Sequence, residues 1–285
     1  RPGEYLHPNL CGRYAYNSMK HIRQQEDVMP YKVILDAGHG GRDPGAVYQN
    51  RQEKDDALAL ALAVGEILEQ AGIDVAYTRT EDVYNTPYEK AVMGNNSGAD
   101  YFISIHRNAT AAPGGASGIE TLVYSKGGEA ERLAENINDE LEDLGFQNRG
   151  ITERPNLVVL RRTSMPAVLV EAGFIDNEAD NRLFDQNFPA IAQAIATGIL
   201  TTIRQEEQSR PEYYQVQTGV YQNQQAAKQQ VNQLAAQGFP AFMVYDNGVF
   251  KVRVGAFLNM DNAVRMEQEL KNYGYNTFLV RERAV

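Results

Sequence analysis

The sequence has a single cysteine, no long apolar run and no excess of basic residues, and each absence excludes a class of protein. Cys11 stands alone among the 285 residues, so neither an internal disulfide nor a cysteine-ligated zinc site is possible. No stretch approaches the roughly 18 consecutive apolar residues of a membrane span, and we predict none. The formal net charge of −10 argues against nucleic acid as a partner.

The first 30 residues also lack the apolar core that is typical of a secretory leader. The chain begins with Arg1 rather than Met, so this absence is no argument against export. We interpret residues 1–30 as an irregular N-terminal segment, and we expect His7 and His21 to be surface residues.

Charge and composition divide the rest of the chain into two parts. Residues 213–285 carry seven basic and five acidic side chains, whereas the remainder is strongly acidic. Between the two parts lies the polar stretch RQEEQSRPE, which contains Pro211 near its end and is typical of a linker. We therefore predict a larger domain over 31–205, a linker over 206–212 and a smaller domain over 213–285.

The larger domain alternates strand-like and helix-like patterns. Apolar residues follow the helical period from Leu60 to Leu68, and Gly72 ends that pattern. A second helical pattern repeats isoleucine at every fourth position from Ile191 to Ile203. The strand-like runs, rich in β-branched and aromatic residues, are YKVILDAG, IDVAYTR, DYFISIH, GIETLVYS and PAVLVEAG. This alternation predicts an α/β fold whose sheet is covered by helices on both faces.

The stretch VILDAGHGGRDPGA, residues 33–46, places His39 among four glycines directly after a strand-like run. It fits neither the G-x-x-x-x-G-K-[ST] loop nor the G-x-G-x-x-G loop that bind phosphates, and phosphate binding does not need an imidazole. Imidazole is instead a common ligand of metal ions such as zinc. The stretch therefore favours a metal site.

Three further polar residues are predicted at the same edge of the sheet, because ligand sites lie beyond the carboxyl ends of the strands. His106 and Glu171 each end a strand-like run, and Glu53 precedes the first helix. Two histidines and one carboxylate are the ligand set of a catalytic zinc, whose fourth position holds water. A nearby carboxylate can then collect the proton of that water, and Glu171 is placed for this role.

Each of these residues also has a purely structural interpretation. His39 can be a turn residue, His106 a hydrogen-bonded residue at a strand end, and Glu53 a solvated charge in the stretch NRQEKDD. Glu171 is harder to explain in this way, because a carboxylate that ends an apolar strand is costly without a partner. Four such residues at one edge together favour a functional site.

Four motifs in this region resemble, in order, those of the zinc-dependent N-acetylmuramoyl-L-alanine amidases: LDAGHGGRDPGA, QEKDDALALA, SIHRNA and MPAVLVEAGFIDN. The resemblance implies a twisted mixed sheet flanked by helices. It makes His39, Glu53 and His106 the Zn²⁺ ligands and Glu171 the general base. It also implies hydrolysis of the amide that joins the lactyl group of muramic acid to the L-Ala of the stem peptide in peptidoglycan.

The chain departs from this family at two positions, Ala37, where proline is common, and Arg107, where a small residue is usual. Arg107 either contacts an acidic group of the stem peptide or points away from the site, as a strand neighbour of His106 does by default. Some relatives carry a helix that blocks the metal. The segment RNATAAPGGAS is too short for one, so we expect an open site.

The smaller domain contains an internal repeat. Its two halves align at a constant offset, which pairs Gly219 with Gly255 and Leu234 with Leu270, and each half reads strand, helix, strand. The whole resembles the SPOR repeat, a small α+β domain in βαββαβ order that binds glycan strands lacking stem peptides. A stable domain without a ligand is the alternative.

Strand alternation predicts which side chains of this repeat face outward. It places Gln215 and Gln217 with Gly219 on one face, and it places Lys251 and Arg253 with Gly255 on one face of the second half. The opposite face, with Val216 and Val252, should meet the helices. We expect the four polar residues to hydrogen-bond sugar hydroxyl and acetamido groups.

These patterns together predict a two-domain, zinc-dependent cell-wall hydrolase. Its partner is peptidoglycan: muramic acid with its stem peptide at the zinc site, and denuded glycan strands at the repeat. Its location is extracellular, at the cell wall, after secretion or release at lysis or sporulation. The alternatives are a zinc carboxypeptidase acting on wall peptides and a non-catalytic peptidoglycan-binding protein.

Overall fold

The computed structural model describes residues 31–283, so the predictions for residues 1–30, including those for His7 and His21, lie outside the described residues. The chain divides between Glu207 and Gln208 into two compact units. Within the described residues, no helix combines the length and the apolar character that crossing a membrane requires.

The first unit alternates strands and helices, as its hydrophobic periodicity predicts. Its strands are β1 (Lys32–Ala37), β2 (Val47–Tyr48), β3 (Arg51–Gln52), β4 (Asp74–Tyr77), β5 (Tyr101–Asn108), β6 (Ile119–Val123), β7 (Asn148–Glu153) and β8 (Ala167–Phe174). Its helices are α1 (Glu53–Gln70), α2 (Pro87–Ser97), α3 (Glu129–Glu142), α4 (Val158–Arg162), α5 (Glu178–Gln186) and α6 (Phe188–Ser209).

Six of these strands form one mixed sheet in the order β4-β1-β5-β8-β6-β7. Strands β4, β1, β5 and β8 are parallel, β6 runs antiparallel to β8, and β7 is parallel to β6. The predicted α/β class with a mixed sheet is confirmed. Because β1, β5 and β8 are parallel, their carboxyl ends share one edge, where the candidate site residues follow.

Alternate residues of the central strands bury the two opposite faces of this sheet. One face, with Val33 and Ile103, packs against apolar residues of α1, α3 and α6. The other face, with Phe102 and Leu169, packs against Val159 and Leu160, the latter two being residues of α4. The prediction of helices on both faces is therefore correct. The helix that contributes Val159 and Leu160 to the second face is shorter than the helices on the first face.

The segment predicted as a linker is mostly helical. Helix α6 continues to Ser209, and the next strand begins at Glu212, so only Arg210 and Pro211 separate them. Residues 204–208 are arginine, glutamine and glutamate, which are good helix formers, so their polarity does not interrupt the helix. Pro211 cannot continue a helical ladder and lies just beyond its end.

The second unit has the predicted βαββαβ order. Its elements are β9 (Glu212–Tyr221), α7 (Gln224–Ala236), β10 (Ala241–Asp246), β11 (Val249–Phe257), α8 (Met260–Asn272) and β12 (Phe278–Arg283). The four strands form an antiparallel sheet in the order β10-β11-β9-β12. As expected, Val216 and Val252 are fully buried and share a core with the helix residues Leu234 and Leu270.

The predicted position of Gly219 is wrong. In the β9–β11 register Gln217 pairs with Arg253, but Gly219 pairs with Val252, so β9 holds an extra residue at this point. A side chain at Gly219 would lie 2.5 Å from the side-chain oxygen of Gln230 on α7. Because a β-bulge interrupts strict alternation, Gly219 faces the helix rather than the face of Gln217. A second irregularity, between Val254 and Phe257, spans Gly255.

Candidate metal centre and active site

The structure brings His39, Glu53 and His106 together from three different elements. His39 lies in the glycine-rich loop after β1, Glu53 is the first residue of α1, and His106 lies near the end of β5. Nε2 of His39 is 3.0 Å from Oε2 of Glu53, and Nδ1 of His106 is 2.7 Å from Oε1 of Glu53. One potential ligand atom from each of the three lies within 4.8 Å of the others, which suits a metal ion.

Two glycines explain how the loop can approach these side chains so closely. A Cβ atom at Gly38 would lie 2.5 Å from the His106 ring. A Cβ atom at Gly45 would lie 2.5 Å from Oε2 of Glu53 and 2.6 Å from Cδ2 of His39. Any side chain at either position would therefore collide with the cluster. Gly45 also has a φ of +68°, which glycine adopts without steric cost.

Asp43 orients His39. Its Oδ2 atom is 2.9 Å from Nδ1 of His39, and its Oδ1 atom accepts a hydrogen bond from the backbone N–H of Gly45. His39 itself has a φ of +57°, which is uncommon outside glycine and is characteristic of functional sites. A carboxylate on Nδ1 is the usual arrangement behind a metal-binding histidine, because it fixes the tautomer and the ring orientation.

Two buried cations hold the backbone of the glycine-rich loop. Arg79 donates hydrogen bonds to the carbonyls of Ala37 and Gly38, and Lys90 donates to those of Ala37 and His39. The ammonium of Lys90 also lies 2.9 Å from the carboxylate of Asp36, and both side chains are almost completely buried. The loop that carries His39 is thus fixed from beneath by charge-assisted hydrogen bonds.

Asp36→Asn should lower the free energy of unfolding by about 3 kcal/mol, because it leaves the buried charge of Lys90 uncompensated. Although burial raises the pKa of Asp36, the charge of Lys90 and hydrogen bonds from Ser104, Thr78 and Lys90 lower it overall. The loss should therefore be fully present above the ordinary aspartate pKa of about 4 and should shrink as the pH falls below it.

Urea denaturation at several pH values measures this effect. Asp74→Asn is the matched control, because Asp74 forms a partly exposed ion pair with Lys32 at 2.9 Å and should contribute less than about 1 kcal/mol. Equal losses in the two variants would contradict the role given to Asp36.

Glu171 lies on β8 directly beside the cluster. In the sheet register it pairs with His106 on one side and with Glu120 on the other. Its Oε2 atom is buried and has no hydrogen-bond partner among the described residues. Burial, aided by the negative charges of Glu53 and Glu120, raises the pKa of Glu171 to about 7. A carboxyl group with this pKa can both accept and release a proton near neutral pH.

The close contacts within the cluster shift the pKa of Glu53 and the pKa of His39. Burial raises the pKa of Glu53, but hydrogen bonds from His106 and His39 outweigh burial and lower it well below its ordinary value. Burial lowers the pKa of His39, but Glu53 and Asp43 outweigh this and raise it to about 9. Glu53 is therefore an ionised carboxylate, which is the form that ligates a metal.

Comparison with known proteins identifies the family of each region of the chain. The N-acetylmuramoyl-L-alanine amidase family matches residues 33–201, and the SPOR domain matches residues 210–281. The chain belongs to the N-acetylmuramoyl-L-alanine amidase family. Its predicted enzyme class is confirmed, and the repeat is a SPOR domain.

Three relatives illustrate the similarity. The sporulation-specific N-acetylmuramoyl-L-alanine amidase of Bacillus subtilis is 34% identical over 219 residues, which cover 75% of this chain and 84% of that protein. The amidase CwlM of Bacillus licheniformis is 35% identical, with 75% and 85% covered. The crystal structure of an N-acetylmuramoyl-L-alanine amidase from Clostridium difficile 630 is 34% identical, with a TM-score of 0.59, and covers 62% of this chain and 98% of that one.

Arg107 of this amidase points away from the metal cluster, which is the second of the two predicted alternatives. Its backbone N–H donates to Oε1 of Glu53, at 3.1 Å. Its guanidinium is buried, donates to Asp56 at 2.7 Å and to Asn181 at 2.8 Å, and lies 4.0 Å from the centre of the Phe184 ring. Arg107 therefore ties α1 to α5 behind the cluster and does not reach a substrate in front of it.

A groove in the amidase domain exposes the cluster. No helix lies between Asn108 and Ile119, so the expected absence of a blocking helix holds for this segment. The groove has a volume of about 320 Å³ and is lined by His39, Ala46, Glu53, His106, Arg107, Asn108, Ala109, Leu122, Arg154, Leu157, Leu169 and Glu171. All four residues predicted at the metal site thus border one groove.

In the SPOR domain, the prediction that the four polar residues face outward is wrong for Gln217 and Arg253, which are almost completely buried. Together with Gln215, these two residues form a hydrogen-bonded group. The guanidinium of Arg253 donates to the side-chain oxygens of Gln215, at 3.0 Å, and Gln217, at 3.4 Å. It also lies 2.6 Å from the carboxylate of Glu282. Lys251 forms a separate ion pair with Asp246. The polar residues of this face are therefore held in place by their neighbours.

Sequence reasoning did not identify several residues that shape the site. Asp43 could have been found, because it lies four residues after His39 in the same glycine-rich stretch. Arg79 and Lys90 are far from the motifs along the chain, and only the folded loop shows that they bind its carbonyls. Arg154 has no motif around it at all.

Proposed function

We propose that the amidase domain is a zinc hydrolase that cuts the amide between the lactyl group of muramic acid and the L-Ala of the stem peptide. One observation carries this proposal. His39, Glu53 and His106 converge at one edge of the sheet, and Oε2 of Glu171 on the adjacent strand has no hydrogen-bond partner within residues 31–283.

The residues present fit zinc. Two imidazoles and one carboxylate are the protein ligands of many catalytic zinc sites, which keep one position for water or substrate. Asp43 behind His39 supplies the outer hydrogen bond that such ligands need. His39, Glu53 and His106 would hold the ion.

Glu171 carries out the proton transfers of the reaction. Zinc, when bound, lowers the pKa of water and polarises an amide carbonyl. Glu171 accepts the proton of the attacking water on Oε2 and delivers it to the nitrogen of L-Ala as the amide bond breaks. Its pKa of about 7 suits both transfers. Leu122, Leu157 and Leu169 line the same groove and offer an apolar wall to the peptide beyond the amide.

Release of peptides with a new N-terminal alanine tests this function. Purified sacculi should yield such peptides with the intact protein, should yield none after a chelator removes the metal, and should yield them again when zinc is added. Activity that survives complete metal removal would contradict the zinc mechanism. Sedimentation with stripped glycan is the control, because chelation should not affect the SPOR domain.

The SPOR domain brings this enzyme to its substrate by binding glycan strands that lack stem peptides. Gln215 and Lys251, which are partly exposed, supply an amide and a cation to a glycan strand, while the buried guanidinium of Arg253 holds the side chains of Gln215 and Gln217 in place. Since an amidase produces stripped glycan, its product recruits more enzyme to places where cutting has begun. The link between the domains raises the local concentration of the active site at the wall. The site of action is therefore the extracellular cell wall.

The full-length Glu171→Gln variant tests this recruitment without degrading its ligand. It should sediment more strongly with sacculi pretreated by an amidase than with untreated sacculi. Adding Lys251→Gln should weaken that binding about tenfold, since charge-assisted hydrogen bonds are worth about 1.5–3 kcal/mol. Lys271→Gln is the control, because Lys271 lies on α8 in a half-exposed ion pair with Glu267. Binding that ignores stem peptides would contradict the proposal.

A further inference from the structure

We infer that Arg154 binds a carboxylate on the stem peptide, so that the enzyme prefers substrates whose second residue carries a free negative charge. This inference rests on the proposed function, which places the scissile amide beside Glu171. It concerns the opposite end of the same groove, which Arg154 lines together with Leu122 and Leu157.

Among the described residues that line the groove, Arg154 is the one arginine whose guanidinium remains available to a ligand. The other arginine of the lining, Arg107, is buried, and its guanidinium is taken up by Asp56 and Asn181. The side chain of Arg154 is exposed and donates only to the backbone carbonyl of Glu153, at 3.2 Å. Among residues 31–283 it forms no ion pair with a carboxylate. An exposed guanidinium without an acidic partner suits a bound carboxylate, which it can contact through two parallel hydrogen bonds.

The backbone fixes where this cation lies. The N–H of Arg154 donates to the carbonyl of Val123 at the end of β6, at 2.7 Å, and the carbonyl of Arg154 accepts from the N–H of Leu157. Arg154 therefore sits at the start of a tight turn just after β7, with both of its peptide groups engaged. Its side chain is presented from a fixed backbone and not from a long loop.

The strand register gives the distance between Arg154 and Glu171, beside which the amide bond is cleaved. Leu169 is two residues before Glu171 on β8 and pairs with Leu122 on β6, so these leucines lie about 7 Å along the strands from Glu171. Arg154 lies farther, because Glu153 pairs with Val123 and Val123 pairs with Val168, which puts Arg154 about 13 Å from Glu171 along the strands. Strand β7 also lies two strand spacings, about 10 Å, from β8. A flexible arginine side chain covers part of this distance. An extended peptide spans about 3.5 Å per residue, so a group on the second or third residue can reach the guanidinium.

The chemistry of the substrate determines which of its groups can bind to Arg154. The lactyl carboxyl group of muramic acid is consumed in the scissile amide, and its sugar carries neutral hydroxyl and acetamido groups. The first residue of the peptide, L-Ala, has only a methyl side chain. The nearest carboxylate to the scissile bond is therefore one on the second residue of the peptide. Its binding would also fix the direction in which the stem peptide lies over the leucine wall.

Two soluble muramyl tripeptides test the inference, identical except that the second-residue glutamate has a free α-carboxylate in one and a carboxamide in the other. The wild-type protein should cleave the carboxylate form with a kcat/KM about tenfold or more above that of the carboxamide form. Arg154→Gln should lose this preference and should cleave the two forms with similar kcat/KM. Arg132→Gln, which removes an exposed arginine on α3 outside the groove, should keep the preference.

The possible results distinguish a failure of the inference about Arg154 from a failure of the proposed amidase function. A wild-type enzyme that cleaves both peptides equally well, or an Arg154→Gln variant that keeps the full preference, would overturn the inference and leave the amidase function intact. A wild-type enzyme that cleaves neither peptide at the lactyl–alanine bond would instead overturn the proposed function, and the role of Arg154 with it. Thermal unfolding at the wild-type temperature would show that the Arg154→Gln variant is folded.

Discussion

Replacing Glu171 with glutamine should leave bound zinc unchanged while lowering kcat by a factor of about 10² to 10⁴. Glutamine keeps the shape of the side chain but cannot accept a proton from water. Oε2 of Glu171 is buried and lacks a hydrogen-bond partner among the described residues, so no other contact is lost. Kinetics on soluble muramyl peptides, together with elemental analysis of the purified variant, measure the two effects separately.

Glu178→Gln is the matched control for this substitution. Glu178 begins α5 and accepts hydrogen bonds from Tyr48 and Gln49 at the surface, outside the groove. Its variant should retain the wild-type kcat. If Glu171→Gln instead released stem peptides at nearly the wild-type rate, the general base would have to be another residue.

Replacing either His39 or His106 with alanine should abolish hydrolysis and remove bound zinc. A catalytic zinc has only three protein ligands, so the loss of one leaves two and an enlarged opening to solvent. Both rings also contact Glu53, at 3.0 Å and 2.7 Å, so each substitution removes a partner of the same carboxylate. Zinc content per protein and activity on sacculi are the two readouts.

Asp43→Asn provides a graded comparison for the histidine variants. It keeps all three ligands but weakens the hydrogen bond that orients His39, so zinc affinity should fall by about 10- to 100-fold without being lost. Full zinc content in both histidine variants would show that the ligands have been assigned wrongly.

Much of the amidase domain could be predicted from the sequence because its signals are local. The runs around Val33, Ile103 and Val168 are continuous and apolar because these strands are buried on both faces. His106 and Glu171 could be placed at one edge without a structure, because parallel strands present their carboxyl ends together. The meeting of the candidate ligands follows from this topology.

The features that could not be predicted depend on contacts between distant parts of the chain. Lys90 is only one charge on a helix until the fold places it beneath the loop of His39. Arg107 had two open interpretations, and the buried contact with Asp56 decides between them. The bulge that turns Gly219 toward α7 has no signature in the repeat, because pairing in a sheet depends on the partner strand.

Mass spectrometry of the fragments released from purified sacculi tests the central claim most directly. A zinc amidase built on His39, Glu53, His106 and Glu171 should release stem peptides that begin with L-Ala and should leave glycan strands with free lactyl carboxyl groups. Peptides shortened only at their carboxyl ends, with the muramic acid linkage intact, would show a carboxypeptidase instead and would contradict the account.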